Sequence, residues 1–139
     1  MATYEEIRIY RNKINRFARF VGIETIELSD GYARTEMRIR PEFENTIGSL
    51  HGGAIFTLAD TVSGAAAASA GTMHTTVNCS MNYLKPGIGV EVLYGTARRV
   101  KKGKTISVYE VEIMDEKENL YATGTFTYFN LNKPLIPAD

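Results

Sequence analysis

The chain predicts an α+β fold: a curved, antiparallel six-stranded sheet wrapped around one long central helix, with a further helix at the N-terminus. Three observations carry this. The segment from Ala54 to Ala70 has no proline, and Ala54, Ile55, Phe56, Leu58, Ala59, Val62 and Ala65 to Ala68 point in nearly every direction around a helix, so other elements must enclose it. Two β-patterned stretches precede this segment and four follow it. Short turns join consecutive stretches, which makes antiparallel neighbours the expected arrangement. One six-stranded sheet leaves part of such a helix bare, so a second copy of the chain is expected to close the core.

In chain order, Ile7, Tyr10, Ile14, Phe17 and Val21 recur at three- and four-residue steps and predict an amphipathic helix over about Tyr4 to Phe20. Glu5 and Glu6 lie near its positive end, and Gly22 stops it. Ile23 to Leu28 and Tyr32 to Arg40 predict a strand pair about the turn Ser29-Asp30-Gly31. In the second strand Thr35, Met37 and Ile39 alternate with Arg34, Glu36, Arg38 and Arg40, so one face is buried and one is wet. Pro41 ends it, and Glu42 to Ser49 reads as a loop. After the central helix come Met73 to Leu84, Glu91 to Val100, Thr105 to Met114 and Leu120 to Leu131. Lys101-Lys102-Gly103-Lys104 is expected to form a hairpin turn, and Asn132 to Asp139 a tail.

With 139 residues the chain is expected to form a single domain, 1–139. A formal net charge of zero gives no global field to attract nucleic acid or an anionic membrane, so neither is expected as a partner. The N-terminal residues alternate charge with apolar groups and lack the run a signal peptide needs. The alanine-rich segment is short for a membrane span and is interrupted by Asp60. The lone cysteine, Cys79, excludes an internal disulfide and fits an intracellular, cytoplasmic chain. Two histidines and one cysteine, scattered along the chain, argue against a metal site.

The polar residues of the central helix are not scattered. Thr57, Asp60, Thr61 and Gly64 form one narrow stripe. Asp60 is the oddity, because a carboxylate in an enclosed helix loses solvation unless it is paired or hydrogen-bonded. It reads either as a satisfied structural carboxylate or as a functional one, and the motif before it favours function. His51-Gly52-Gly53 lies at the helix start, where glycines permit close approach and unpaired N–H groups carry partial positive charge. Such a start can polarise a carbonyl oxygen, or can simply relieve crowding. Competing chemistry is weak. There is no G-x-S-x-G elbow, no Walker-type loop and no G-x-G-x-x-G, while Cys79 sits in an alternating strand and His74 reads as solvated.

N-x-x-G-x-x-H-G-G from Asn45, followed by A-x-x-x-L-A-D ending at Asp60, resembles the hot-dog-fold acyl-CoA thioesterases of the phenylacetate-degradation type. Asn82-Tyr83-Leu84-Lys85-Pro86 and the hairpin at Gly103-Lys104-Thr105 match that family as well, and the likeness runs from about Ile23 to Leu131. It implies a hot-dog fold and dimers commonly paired into homotetramers. It also implies that Asp60 activates water or attacks the thioester carbonyl itself. By the same resemblance, Asn45 and the Gly53 N–H lie near the carbonyl from the other subunit, and His51 orients the thioester. Thr76 falls where relatives often carry a serine that positions the water; the hydroxyl is kept.

The expected activity is therefore hydrolysis of acyl-CoA to a carboxylic acid and free CoA, with no cofactor beyond the substrate's own CoA. Arg99, Lys101, Lys102 and Lys104 are the groups available to CoA phosphates, although a charged hairpin edge can equally serve solubility. The alternative is a protein that binds acyl-CoA without turning it over; the retained Asp60 argues against it. Phe56, Met73, Met81 and Tyr83 read as plain core or as walls of an acyl pocket.

Overall fold

The computed structural model of the protein describes residues 1–138. Its elements are α1 (Tyr4–Ile14), α2 (Arg16–Val21), β1 (Ile23–Ser29), β2 (Tyr32–Arg38), α3 (Gly52–Ala68), β3 (Thr72–Tyr83), β4 (Val92–Lys102), β5 (Ile106–Met114) and β6 (Leu120–Pro134). The six strands form one antiparallel sheet in the order β1-β2-β4-β5-β6-β3, the hot-dog arrangement the resemblance implied. The helix α3 lies across its concave face, buries Ile55, Leu58, Ala59, Val62 and Ala65 to Ala68, and meets Met37, Leu93, Ala97, Val111 and Ile113 from the strands. Gly95 on β4 permits this closeness: a Cβ there would stand 3.2 Å from Val62 Cγ1.

The N-terminal segment is two helices rather than one. Asn15 leaves helical geometry (φ −79°, ψ 85°), ends α1 through its N–H to the Arg11 carbonyl, and caps α2 by accepting from the Ala18 N–H. The predicted apolar stripe is therefore not one continuous buried face. Ile7, Ala18 and Val21 are buried, whereas Ile14 and Phe17 stand 47% and 62% exposed. The helix α1 is held on β1 by polar contacts: Asn12 exchanges two 2.9 Å hydrogen bonds with the Thr25 main chain, and Arg8 Nη1 donates to the same carbonyl.

Other boundaries shift for local reasons. The central helix begins two residues earlier than predicted because His51 caps it. Lys101 and Lys102 belong to the end of β4, where they pair with Val108 and Ser107, so the hairpin turn is confined to residues 103–105. At the other side of the sheet β3 pairs only with β6, and its twelve residues form a long, largely exposed edge. Among the described residues, no helix is long and apolar enough to cross a membrane.

Candidate active site

Asp60 is half-buried on α3, where the helix turns its polar stripe away from the sheet's centre and toward β3. Thr76 on β3 reaches across, and its hydroxyl donates to Asp60 Oδ1 at 3.3 Å, a long O–H···O contact. Burial pushes the Asp60 carboxyl above its ordinary value, and the Thr76 bond, the Tyr128 hydroxyl and the Arg11 charge pull it partly back. The site thus holds a carboxylate of raised basicity that still has room for a ligand.

The backbone around Asp60 is fixed from the sheet side. The Tyr128 hydroxyl donates to the Asp60 carbonyl at 3.1 Å and lies 2.8 Å from Ser63 Oγ, which is also 2.8 Å from the Ala59 carbonyl. Burial and the Asp60 charge push the Tyr128 phenol up to about 12, so it stays protonated and remains a donor.

Asp60, Thr57, Thr61, Gly64 and Thr76 open onto a cavity of about 780 Å³. Phe56, Met73, Ile14, Phe17, Leu131 and Leu135 give it an apolar side, and Arg11, Asn15, Thr72, Thr75 and Tyr128 add to its polar side. Phe56 and Met73 are therefore cavity walls, while Met81 packs on the core and Tyr83 hydrogen-bonds the Gly52 carbonyl away from this cavity. His74 also lines it and is half-buried rather than solvated. Burial pushes its imidazole below the ordinary value, a hydrogen bond between Nδ1 and the Thr72 carbonyl opposes this, and the Lys102 charge lowers it further.

The remaining predicted residues lie elsewhere. His51 and Gly53 sit at the N-terminus of α3, about 10 Å along the helix from Asp60 at the ordinary rise per residue. The Gly53 N–H is engaged, donating to His51 Nδ1 at 2.8 Å. That bond makes Nδ1 the acceptor and leaves the proton on the His51 Nε2. Asn45 builds its own loop: Oδ1 accepts from Ile47 and Ser49 N–H groups, and Nδ2 donates to Ser49 Oγ. Within one chain, then, Asp60 and Thr76 meet, while His51 and Gly53 share the start of α3 and Asn45 belongs to the loop before it. Arg99 is committed to Asp30, 3.1 Å away, whereas Lys101, Lys102 and Lys104 are exposed.

Two residues of the site were not singled out from the sequence, Arg11 and Tyr128. Arg11 sits on the polar side of an amphipathic helix, where a cation reads as solvated. Tyr128 did carry a signal, since it alternates with Phe126 on the inward face of β6.

A family model described as the thioesterase superfamily matches residues 47–122. The acyl-coenzyme A thioesterase PaaI of Escherichia coli is 32% identical over 105 residues, which is 76% of this chain and 75% of that protein. The solved structure of the E. coli PaaI protein from the phenylacetic acid degradation operon superposes with a TM-score of 0.90 at 26% identity, covering 94% of this chain and 95% of that one. A thioesterase protein of Streptococcus pneumoniae, solved with coenzyme A, is 31% identical with a TM-score of 0.77, covering 83% and 93%. That protein has also been solved as two alanine mutants, one of an aspartate and one of a threonine sixteen residues further along.

Proposed function

The chain belongs to the thioesterase superfamily and is a thioester hydrolase, and from that premise we propose that it hydrolyses acyl-CoA to a carboxylic acid and free CoA, with Asp60 as the reacting carboxylate. The observation that carries this is the contact of Asp60 with Thr76 at the wall of a cavity large enough for an acyl group. A thioester carbonyl is already electrophilic, so a positioned carboxylate and a donor for the developing oxyanion suffice. Asp60 either removes a proton from water held by Thr76 or attacks the carbonyl directly. The aspartate and threonine mutated in the S. pneumoniae relative have the same separation as Asp60 and Thr76, which supports assigning the reaction to this pair.

The oxyanion donor comes from a second copy in this reading. Asp60 and the start of α3 are too far apart in one chain to serve the same carbonyl, and the open edge of β3 beside Thr76 offers a place for a partner's strand. A dimer joined there, itself paired into a tetramer, sets the partner's helix start and Asn45 loop against Asp60. The Gly53 N–H turns from His51 Nδ1 toward the oxyanion, and the His51 Nε2–H donates to the thioester. Lys101, Lys102 and Lys104 receive the CoA phosphates; Arg99, held by Asp30, contributes less. No group beyond these side chains and the substrate is called on, in a cytoplasmic setting.

Free-thiol release from a panel of aromatic and aliphatic acyl-CoAs, by wild type and Asp60→Asn, tests the reading. An active wild type with a folded, inactive variant is the expected result. Equal activities would make Asp60 structural, and binding without release from any substrate would identify an acyl-CoA-binding protein instead.

A further inference from the structure

Gly64 lies in the middle of α3, where glycine is an unfavourable choice relative to alanine. The reason is on the facing side. A Cβ at Gly64 would stand 3.3 Å from Arg11 Nη2 and 3.5 Å from the Tyr128 hydroxyl. The missing side chain admits the Arg11 guanidinium from α1 onto the face of α3, one helical turn beyond Asp60.

Arg11 is half-buried in that position, and it lines the cavity beside Ile14, Phe17 and Asp60. Among the described residues, none accepts a hydrogen bond from its guanidinium and none forms an ion pair with it. The contrast with Arg8, one turn earlier, is direct: that guanidinium is bonded to Glu5 and to the Thr25 carbonyl. Burial lowers the proton affinity of Arg11 from its ordinary value, and the Asp60 charge opposes this. A guanidinium brings five donors to the cavity wall, and with none of them bonded to the described residues an acceptor oxygen on a bound acyl group finds them free.

Resting on the thioesterase reading of this cavity, we propose that Arg11 selects acyl groups carrying an acceptor oxygen one helical turn from the thioester carbonyl. Hydroxyl, carbonyl and carboxylate oxygens all satisfy that chemistry. One turn is about 5.4 Å, a span of roughly three to five bonds along the acyl chain. The position of Arg11 among Ile14, Phe17 and Leu131 assigns the oxygen to the acyl group, because CoA phosphates have the exposed lysines. Phe56, Met73, Ile14, Phe17 and Leu131 offer apolar surface to the rest of the acyl group.

The test compares butanoyl-CoA, β-hydroxybutanoyl-CoA and succinyl-CoA, which share a short chain and differ in oxygen. For wild type, Arg11→Lys and Arg11→Met, kcat/KM is measured for each. Wild type is expected to favour at least one oxygenated member over butanoyl-CoA by tenfold or more, the scale of a hydrogen bond to a charged group. Arg11→Met erases that ratio and Arg11→Lys keeps part of it; which oxygenated member responds distinguishes a hydroxyl from a carboxylate. A wild type without the preference, or an Arg11→Met protein that retains it, overturns the proposal. So does an equal loss across all three substrates, which would place Arg11 on the CoA arm or make it act through Asp60. The affinities of the three thioesters for Asp60→Asn, with and without Arg11→Met, decide the same question without turnover. If no thioester is cleaved, the hydrolase assignment to this site fails, while the affinity ratio still upholds or overturns the role of Arg11.

Discussion

The Thr76 hydroxyl on the open edge strand donates to the Asp60 carboxylate on the central helix at 3.3 Å, a hydrogen bond that joins the two elements at the cavity wall. It favours the ionised form of Asp60, whereas burial favours the protonated one, and burial is the larger influence.

Replacing Thr76 by valine removes the contribution that lowers the carboxyl's proton affinity. Since the reacting form is the carboxylate, the acid limb of the kcat/KM–pH profile should move to higher pH in Thr76→Val and stay in place in Thr76→Ser. An unmoved limb in the valine variant would show that the contact does not tune Asp60.

The same carboxyl has a consequence for stability. Its folded-state value lies above the unfolded one, so the group favours folding fully only below the unfolded value, and that contribution is lost as pH rises through the folded value. At neutral pH the ionised Asp60 is therefore a net cost. Asp60→Asn should melt higher than wild type at pH 7, by roughly 3 °C for each kcal/mol recovered in a domain of this size. The difference should shrink as pH falls well below the ordinary value of 3.8, where wild-type Asp60 is protonated in both states. A less stable Asn variant at pH 7 would contradict this.

Gly64→Ala sets stability against selectivity. Alanine favours the helix by about 1 kcal/mol, and the atom it crowds, Arg11 Nη2, is the movable end of a long side chain. The variant is expected to melt at or above the wild-type temperature while losing most of the preference for oxygenated acyl groups. Thermal melts and kcat/KM ratios on one preparation would check both halves.

Reversing charge at Lys101 and Lys102 together should raise KM for acyl-CoA by tenfold or so at low salt and leave kcat close to wild type, with the effect fading as ionic strength rises. Both side chains are exposed at the end of β4, so the fold is not expected to suffer. An unchanged KM would move phosphate binding elsewhere on the surface.

The sequence by itself determined whatever depends on local periodicity. The enclosed helix follows from its all-round apolar residues. The inward face of β2 follows from two-residue alternation, and the line of Thr57, Asp60, Thr61 and Gly64 from helical spacing. These patterns state which face a residue takes, not what it meets there. Tertiary structure alone decided that Arg11 lies over Gly64, that Tyr128 holds Asp60 from 68 residues away, and that Asp30 occupies Arg99. It also decided that Ile14 and Phe17 leave the core for the cavity wall, because a side-chain cap at Asn15 outcompetes a continuous helix. The physical reason is common to all four. Sheet curvature, strand register and helix breaks bring distant residues together, and such pairings leave no spacing in the chain to read.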